Sequence, residues 1–131
     1  MIAVYPKREQ IEALLASPEQ GPVVMLNLLR FKERASPPDD GLTGEEAYRR
    51  YAEAMRALVE RHGGRFLWVG RVTGQVIGEG AEAFHAAALV EYPSRRAFVE
   101  LATSPEVAAI GVHRAAGLEG QWLIATTTSG S

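Results

Sequence analysis

One stretch, Val23 to Phe31, reading Val-Val-Met-Leu-Asn-Leu-Leu-Arg-Phe, constrains the fold of this chain more than any other. Its apolar residues fall on both alternating faces, with Val23, Met25 and Leu29 on one and Val24, Leu26 and Leu28 on the other. A strand with one wet face alternates apolar and polar side chains, so this strand needs cover on both sides. Asn27 and Arg30 interrupt the run, and regular alternation places them on opposite faces. A buried amide left without a partner costs about 2–7 kcal/mol, so both polar groups call for partners or a ligand.

The flanking sequence supplies the other elements. Pro6-Lys7 opens a short helix with Ile11, Leu14 and Leu15 on one face, and Ser17-Pro18 ends it, because the residue before proline is driven out of helical geometry. Lys32 to Leu42, with Pro37, Pro38, Asp39, Asp40 and Gly41, reads as an exposed loop. Thr43-Gly44-Glu45-Glu46 has the capping-box pattern and starts a helix carrying Ala47, Tyr51, Ala54, Met55 and Leu58 on one stripe, which Gly63-Gly64 stops. Strands are predicted over Arg65–Ile77, Phe84–Tyr92 and Gln121–Thr128. Between the last two, Ser94 and Ser104-Pro105-Glu106 each start a helical piece, and Gly117 and Gly120 close the second.

After the leading helix the order is strand, helix, strand, strand, helix, strand. This is the α+β, ferredoxin-like βαββαβ plan with a four-stranded antiparallel sheet. The 131 residues suit a single domain, 1–131, with residues 1–20 as a helical extension. Two crossover helices cover only one sheet face, and the other would expose more apolar area than soluble monomers usually show. A second copy packed face to face, as a homodimer with a shared α/β barrel, covers it economically. The alternative is that the leading helix and the proline loop do so.

The segments Met25-Leu26-Asn27-Leu28-Leu29-Arg30-Phe31, Tyr48 with Tyr51, Val90-Glu91-Tyr92-Pro93-Ser94-Arg95, Ser104-Pro105-Glu106 and His113-Arg114-Ala115-Ala116-Gly117-Leu118 together resemble the small bacterial family called domain of unknown function 1330, within the dimeric α/β-barrel superfamily. The resemblance covers nearly the whole chain after the first helix. It implies the fold and the dimer rather than an activity. The superfamily also includes cofactor-independent quinol and anthrone monooxygenases, muconolactone isomerase-like enzymes and haem proteins, which is only an analogy for function.

Each candidate site residue has a structural alternative. Asn27 can donate to a substrate oxyanion or bond neighbouring backbone, and Arg30 can clamp a carboxylate or pair with Glu91 or another acid. Tyr51, Trp68 and Arg71, with Tyr48, can line an apolar pocket for a planar ligand, or Tyr51 and Trp68 can be ordinary core. Alternation puts Trp68 on the same face as Phe66. His113 and His85 are the candidate general bases, since an ordinary imidazole titrates near neutral pH. Equally, His113 and Arg114 can complement a helix C-terminal dipole. Glu91 beside an arginine reads as a register-fixing ion pair.

The formal net charge of −2 and pI near 5.9 argue against nucleic acid as a partner. There is no cysteine, so disulfides, thiolate metal sites and cysteine nucleophiles are excluded. Asp occurs only at Asp39 and Asp40 in the proline loop, which disfavours a Ser-His-Asp triad. His62, His85 and His113 lack ligand spacing, and the glycines form no phosphate-loop fingerprint, so neither a metal nor a cofactor is expected. No signal core or membrane-length apolar run is present, and a cytoplasmic protein is expected. Three functions remain open: a dimer binding a small organic molecule between sheet and helices; a cofactor-independent monooxygenase or isomerase acting on an activated phenolic or lactone substrate; and an interaction module whose cavity is filled by Trp68, Tyr51 and Met55.

Overall fold

The computed structural model describes residues 3–129. The elements run α1 (Arg8–Ala16), β1 (Val23–Phe31), α2 (Gly44–Arg61), β2 (Arg65–Arg71), a 3-10 turn (Ala81–Ala83), β3 (Ala86–Tyr92), α3 (Arg95–Ala102), α4 (Pro105–Gly117) and β4 (Leu118–Thr126). The four strands form one sheet in the order β2-β3-β1-β4, with every neighbouring pair antiparallel. This is the expected α+β, ferredoxin-like arrangement with an additional N-terminal helix.

The helix starts follow the local sequence. Thr43 Oγ1 accepts from the Glu46 N–H at 3.1 Å, and the Glu46 carboxylate accepts from the Thr43 N–H at 2.9 Å. That backbone hydrogen bond holds the Glu46 carboxyl below the usual carboxylate range. Ser94 and Ser104 cap α3 and α4 by accepting from the Ala97 and Val107 N–H groups. α2 and α4 meet backbone to backbone. A Cβ on Gly117 would lie 2.4 Å from the Gly44 carbonyl oxygen, and one on Gly44 would lie 2.1 Å from that of Lys32.

Three extents differ from expectation. β2 stops at Arg71 and leaves residues 72–80 as a loop, whose Val76 and Ile77 are 97% and 90% exposed. Beyond the Val72 N–H, which donates to the His85 carbonyl at 2.9 Å, no strand among the described residues pairs with this segment. β3 begins at Ala86, and β4 runs from Leu118 to Thr126. The proline loop is not wholly exposed: Ala35 and Asp39 are buried, with Ala35 packed beside Ala47 and Ala116.

The helices cover one face, here called inner. Val23, Met25, Val90 and Tyr92 from the sheet pack with Met55, Leu58, Val59, Phe98 and Leu101 in the larger core cluster. Leu29, Phe31 and Leu118 form a smaller one at the other end of β1. Neither α1 nor the proline loop covers the opposite, outer face: Leu14 of α1 packs on the larger inner cluster, and the loop packs against α2 and α4. Trp68, Leu89, Leu26 and Ile124 are aligned in register across all four strands of that face, beside Ala87, Leu28 and Trp122. Trp68, Trp122 and Ile124 are exposed large apolar residues.

A register shift between Phe66 and Trp68 separates two residues that simple alternation puts together. Phe66 packs on the inner core beneath the Arg56 guanidinium. Trp68 is 52% exposed, and its ring lies over Gly70, where an added Cβ would sit 2.2 Å from it. The extra residue of the bulge turns the side-chain order by one position.

Candidate functional site

Asn27 lies on the inner face between the two core clusters, flanked along β1 by Met25 and Leu29. Its strand neighbour in β3 is the small Ala88. Above this row Tyr48 packs on the smaller cluster and Tyr51 on the larger, with ring centroids 5.4 Å apart. One helical turn separates them, so the pair spans the gap between the clusters.

A chain of polar side chains runs through this gap. Asn27 Nδ2 donates to the Met25 carbonyl at 3.2 Å, and Asn27 Oδ1 accepts from Gln121 Nε2 at 2.8 Å. Gln121 Oε1 in turn accepts from the Arg114 guanidinium at 2.7 Å. Arg114 can only donate, so it orients the Gln121 amide, and Gln121 orients that of Asn27. Arg114 also donates to the Val4 carbonyl and lies 5.7 Å from the Tyr5 ring. It makes no ion pair with a carboxylate among the described residues.

Burial pushes the Tyr48, Tyr51 and Tyr92 hydroxyls well above the usual phenol range, with the Arg114 charge opposing this at Tyr48 and Tyr51. All three are therefore neutral hydrogen-bond donors at any ordinary pH. The site offers one cation, two oriented amides and the two phenols of Tyr48 and Tyr51. That combination suits an oxygen-rich ligand better than a cation.

A second polar cluster lies at the proline loop. Asp39, 2% exposed, faces His113 Nδ1 at 2.6 Å and Arg50 at 2.9 Å. The carboxylate and the imidazole Nδ1 are placed to share a hydrogen bond, which leaves Nε2 as the ring nitrogen outside the pair. Thus an aspartate from the loop does pair with a histidine, across 74 positions of sequence.

Over residues 41–128 the sequence matches the model of DUF1330, described as a domain of unknown function. The chain belongs to the DUF1330 family. Among solved structures it is similar to RPA0582, a protein of unknown function from Rhodopseudomonas palustris, at 34% identity and TM-score 0.89 over all of both chains. A DABB-family protein with a ferredoxin-like fold from Mesorhizobium loti is similar at 17% identity and TM-score 0.56, over 85% of this chain and 100% of that one. A dimeric ferredoxin-like protein of unknown function from Bacteroides fragilis is similar at 17% identity and TM-score 0.53, over 82% and 96%. No curated protein matches.

In this DUF1330 chain the sequence-derived candidates do not converge on one place. Asn27 and Tyr51 belong to the inner polar row. Arg30 points away from it, bonding Glu119 at 3.0 Å and the Glu82 and Ala83 carbonyls. Its acid is Glu119 rather than Glu91, which pairs with Arg65. Arg71 pairs with Glu45 at 2.7 Å, and Trp68 lies on the outer face. His85 Nδ1 accepts from the Phe31 N–H at 3.0 Å, and its ring stacks on Phe31. That bond occupies the one basic nitrogen of a neutral imidazole, so His85 is held as a tie between β1 and the 81–85 segment.

Arg114, Gln121 and Asp39 are polar residues of these clusters that the sequence motifs do not mark as site residues. The available signals were a lone arginine late in a helix of small and apolar residues, and a glutamine opening the apolar run Trp122-Leu123-Ile124. Two cavities of about 240 and 250 Å³ lie beneath the 72–84 loop, the larger lined by Leu28, Phe84 and Trp122 at the edge of the outer face. No group of three or more His, Cys, Asp or Glu residues is placed to hold a metal ion among the described residues. No helix among them is long and apolar enough to cross a membrane.

Proposed function

We propose that this protein is a small cytoplasmic homodimer that binds a small organic molecule between its sheet and helices, anchored by Arg114, Gln121 and Asn27 beneath Tyr48 and Tyr51. The observation that carries this reading is Arg114, a half-buried guanidinium near two half-buried phenols, with no carboxylate partner among the described residues. A cation removed from water is ordinarily paired, and here neutral groups occupy that place. The dimer is supported by the apolar outer face and by the dimeric description of the Bacteroides fragilis neighbour.

The experiment is a thermal-shift screen of aromatic and short-chain acids, phenols, lactones and amides, run beside sedimentation velocity. A hit lost in Arg114→Gln and Asn27→Ala, with the protein sedimenting as a dimer, is expected. A monomer at micromolar concentration overturns the dimer. Hits indifferent to both substitutions overturn the site.

The Asp39–His113 pair favours a second reading. A histidine whose Nδ1–H is held by a buried carboxylate presents a basic Nε2, the arrangement needed for cofactor-independent proton abstraction from an activated phenol or lactone. In an oxygenase or isomerase of this kind the substrate supplies the electrons or the acidic C–H. Turnover of any hit that survives unchanged in His113→Ala removes His113 from this role.

A further inference from the structure

The segment Ala3–Tyr5 lies against Gln121 and Arg114 at the end of the inner polar row. The Gln121 N–H donates to the Ala3 carbonyl at 2.7 Å, in a lone bridge between Ala3 and β4. Arg114 donates to the Val4 carbonyl, and the Tyr5 ring faces the guanidinium. This strap is weakly held. Tyr5 is 68% exposed, Ala3 is exposed, and α1, which follows, has no buried residue. Segments with so little buried apolar surface open at a small fraction of the global unfolding free energy.

The strap gives Arg114 poor counter-groups. A neutral carbonyl and an exposed ring stand where a guanidinium fork would accept a carboxylate through two parallel, charge-assisted bonds. The surrounding groups narrow the choice of anion. Tyr48, Tyr51 and Tyr92 stay neutral, so none supplies the missing negative charge. A single guanidinium matches one negative charge rather than the two of a phosphate monoester. The Gln121 amide, already oriented by Arg114, extends the donor set towards Asn27.

We infer that the ligand of this site is a small monocarboxylate and that it enters by displacing the Ala3–Tyr5 strap, its carboxylate taking the place of the Val4 carbonyl on Arg114. This rests on the inner-site reading given above and adds the ligand class and the route. The strap is then a built-in competitor. Apparent affinity is reduced by the fraction of molecules in which it is open, and loosening it raises affinity without any new contact to the ligand.

The test uses full-length protein and two probes of nearly equal shape, salicylate and its uncharged amide, salicylamide, titrated by calorimetry and followed by amide hydrogen exchange. Salicylate is expected to bind and salicylamide to bind at least about tenfold more weakly, the difference a charge-assisted bidentate pair makes. Salicylate is expected to speed exchange in residues 3–16. Tyr5→Gly and the double variant Val4→Gly/Tyr5→Gly are expected to tighten salicylate about threefold or more by raising the open fraction. Arg114→Gln is expected to abolish binding in both backgrounds.

Equal binding of the two probes overturns the carboxylate assignment. Arg114-dependent salicylate binding with unchanged affinity in the strap variants and unchanged exchange overturns the strap and leaves the site. No binding of either probe in wild type or strap variants overturns the proposal. A neutral hit from the thermal-shift screen that still depends on Arg114 and Asn27 would in that case leave the inner-site reading standing.

Discussion

The Asp39 carboxylate and the His113 Nδ1 stand 2.6 Å apart, joining the turn of the proline loop to the last part of α4. Arg50, on α2, reaches the other oxygen of the same carboxylate at 2.9 Å. One nearly inaccessible acid thus ties together a loop and two helices. Both partners are more exposed than Asp39, so solvent screens the ion pairs and the hydrogen bonds carry most of the effect. Asp39→Ala is expected to destabilise the protein by about 1–3 kcal/mol, the usual cost of leaving partly buried hydrogen-bonding groups unpaired. Urea unfolding measures it. A loss as large in Asp40→Ala would show that the pairing itself is not responsible.

The direct contact of α2 with α4 gives a sharper contrast. Gly44→Ala and Gly117→Ala each place a methyl group against backbone that cannot rotate away, and both belong at or beyond the top of the overpacking range of about 1–3 kcal/mol. Gly111, within α4, has nothing within 4 Å of an added Cβ. Gly111→Ala should stabilise by about 0.5–1 kcal/mol, because alanine loses less backbone freedom on entering a helix. Thermal melts of the three variants should therefore move in opposite directions, with Gly111→Ala alone shifting upward.

What could be read from the chain was mostly local. The two-faced apolar run of β1, the Thr43–Glu46 box and the Ser94 and Ser104 caps each depend on residues a few positions apart. The structure realises them as written. The proposed site was legible at Asn27 and Tyr51, where a polar residue breaks an apolar strand and a tyrosine lies on an apolar helix stripe. It was not legible at Arg114, whose partners Val4 and Gln121 lie 110 and 7 positions away. Nor could periodicity show that Asp39, among prolines and glycine, folds inward to meet His113. Trp68 illustrates a different limit: one extra residue in a bulge reverses the inward or outward assignment of every later side chain in the strand.

Alkaline stability follows from three tyrosines, Tyr92 buried and Tyr48 and Tyr51 half-buried. Tyr48, Tyr51 and Tyr92 have hydroxyls raised above the ordinary phenol value of 10.0, chiefly because burial disfavours the charged phenolate. The unfolded chain therefore releases these protons at lower pH than the folded one. Their contribution is intact below about pH 10 and declines as the pH rises above it. The urea midpoint is expected to be flat from neutral pH to about pH 9.5 and to fall beyond pH 10. Tyr48→Phe and Tyr51→Phe should each flatten that fall. An unchanged slope in both would mean that other groups govern the alkaline transition.

The Thr43 cap sets an acid limit of the opposite sign. Thr43→Ala removes the hydroxyl that accepts from the Glu46 N–H and should cost about 1 kcal/mol at neutral pH, as should Ser94→Ala at the start of α3. The two caps differ in their second arm. The Glu46 carboxylate accepts from the Thr43 N–H, and its lowered pKa means that the folded state favours the ionised form. The help it gives is present above its ordinary value of 4.5 and is lost as the pH falls below it through the lowered folded value. Glu46→Ala should therefore lower the melting temperature at pH 7 and make little difference at pH 2.5, while the Ser94→Ala deficit should change far less over the same interval. A Glu46→Ala deficit that persists undiminished at pH 2.5 would show that the carboxylate arm of the box contributes nothing to α2.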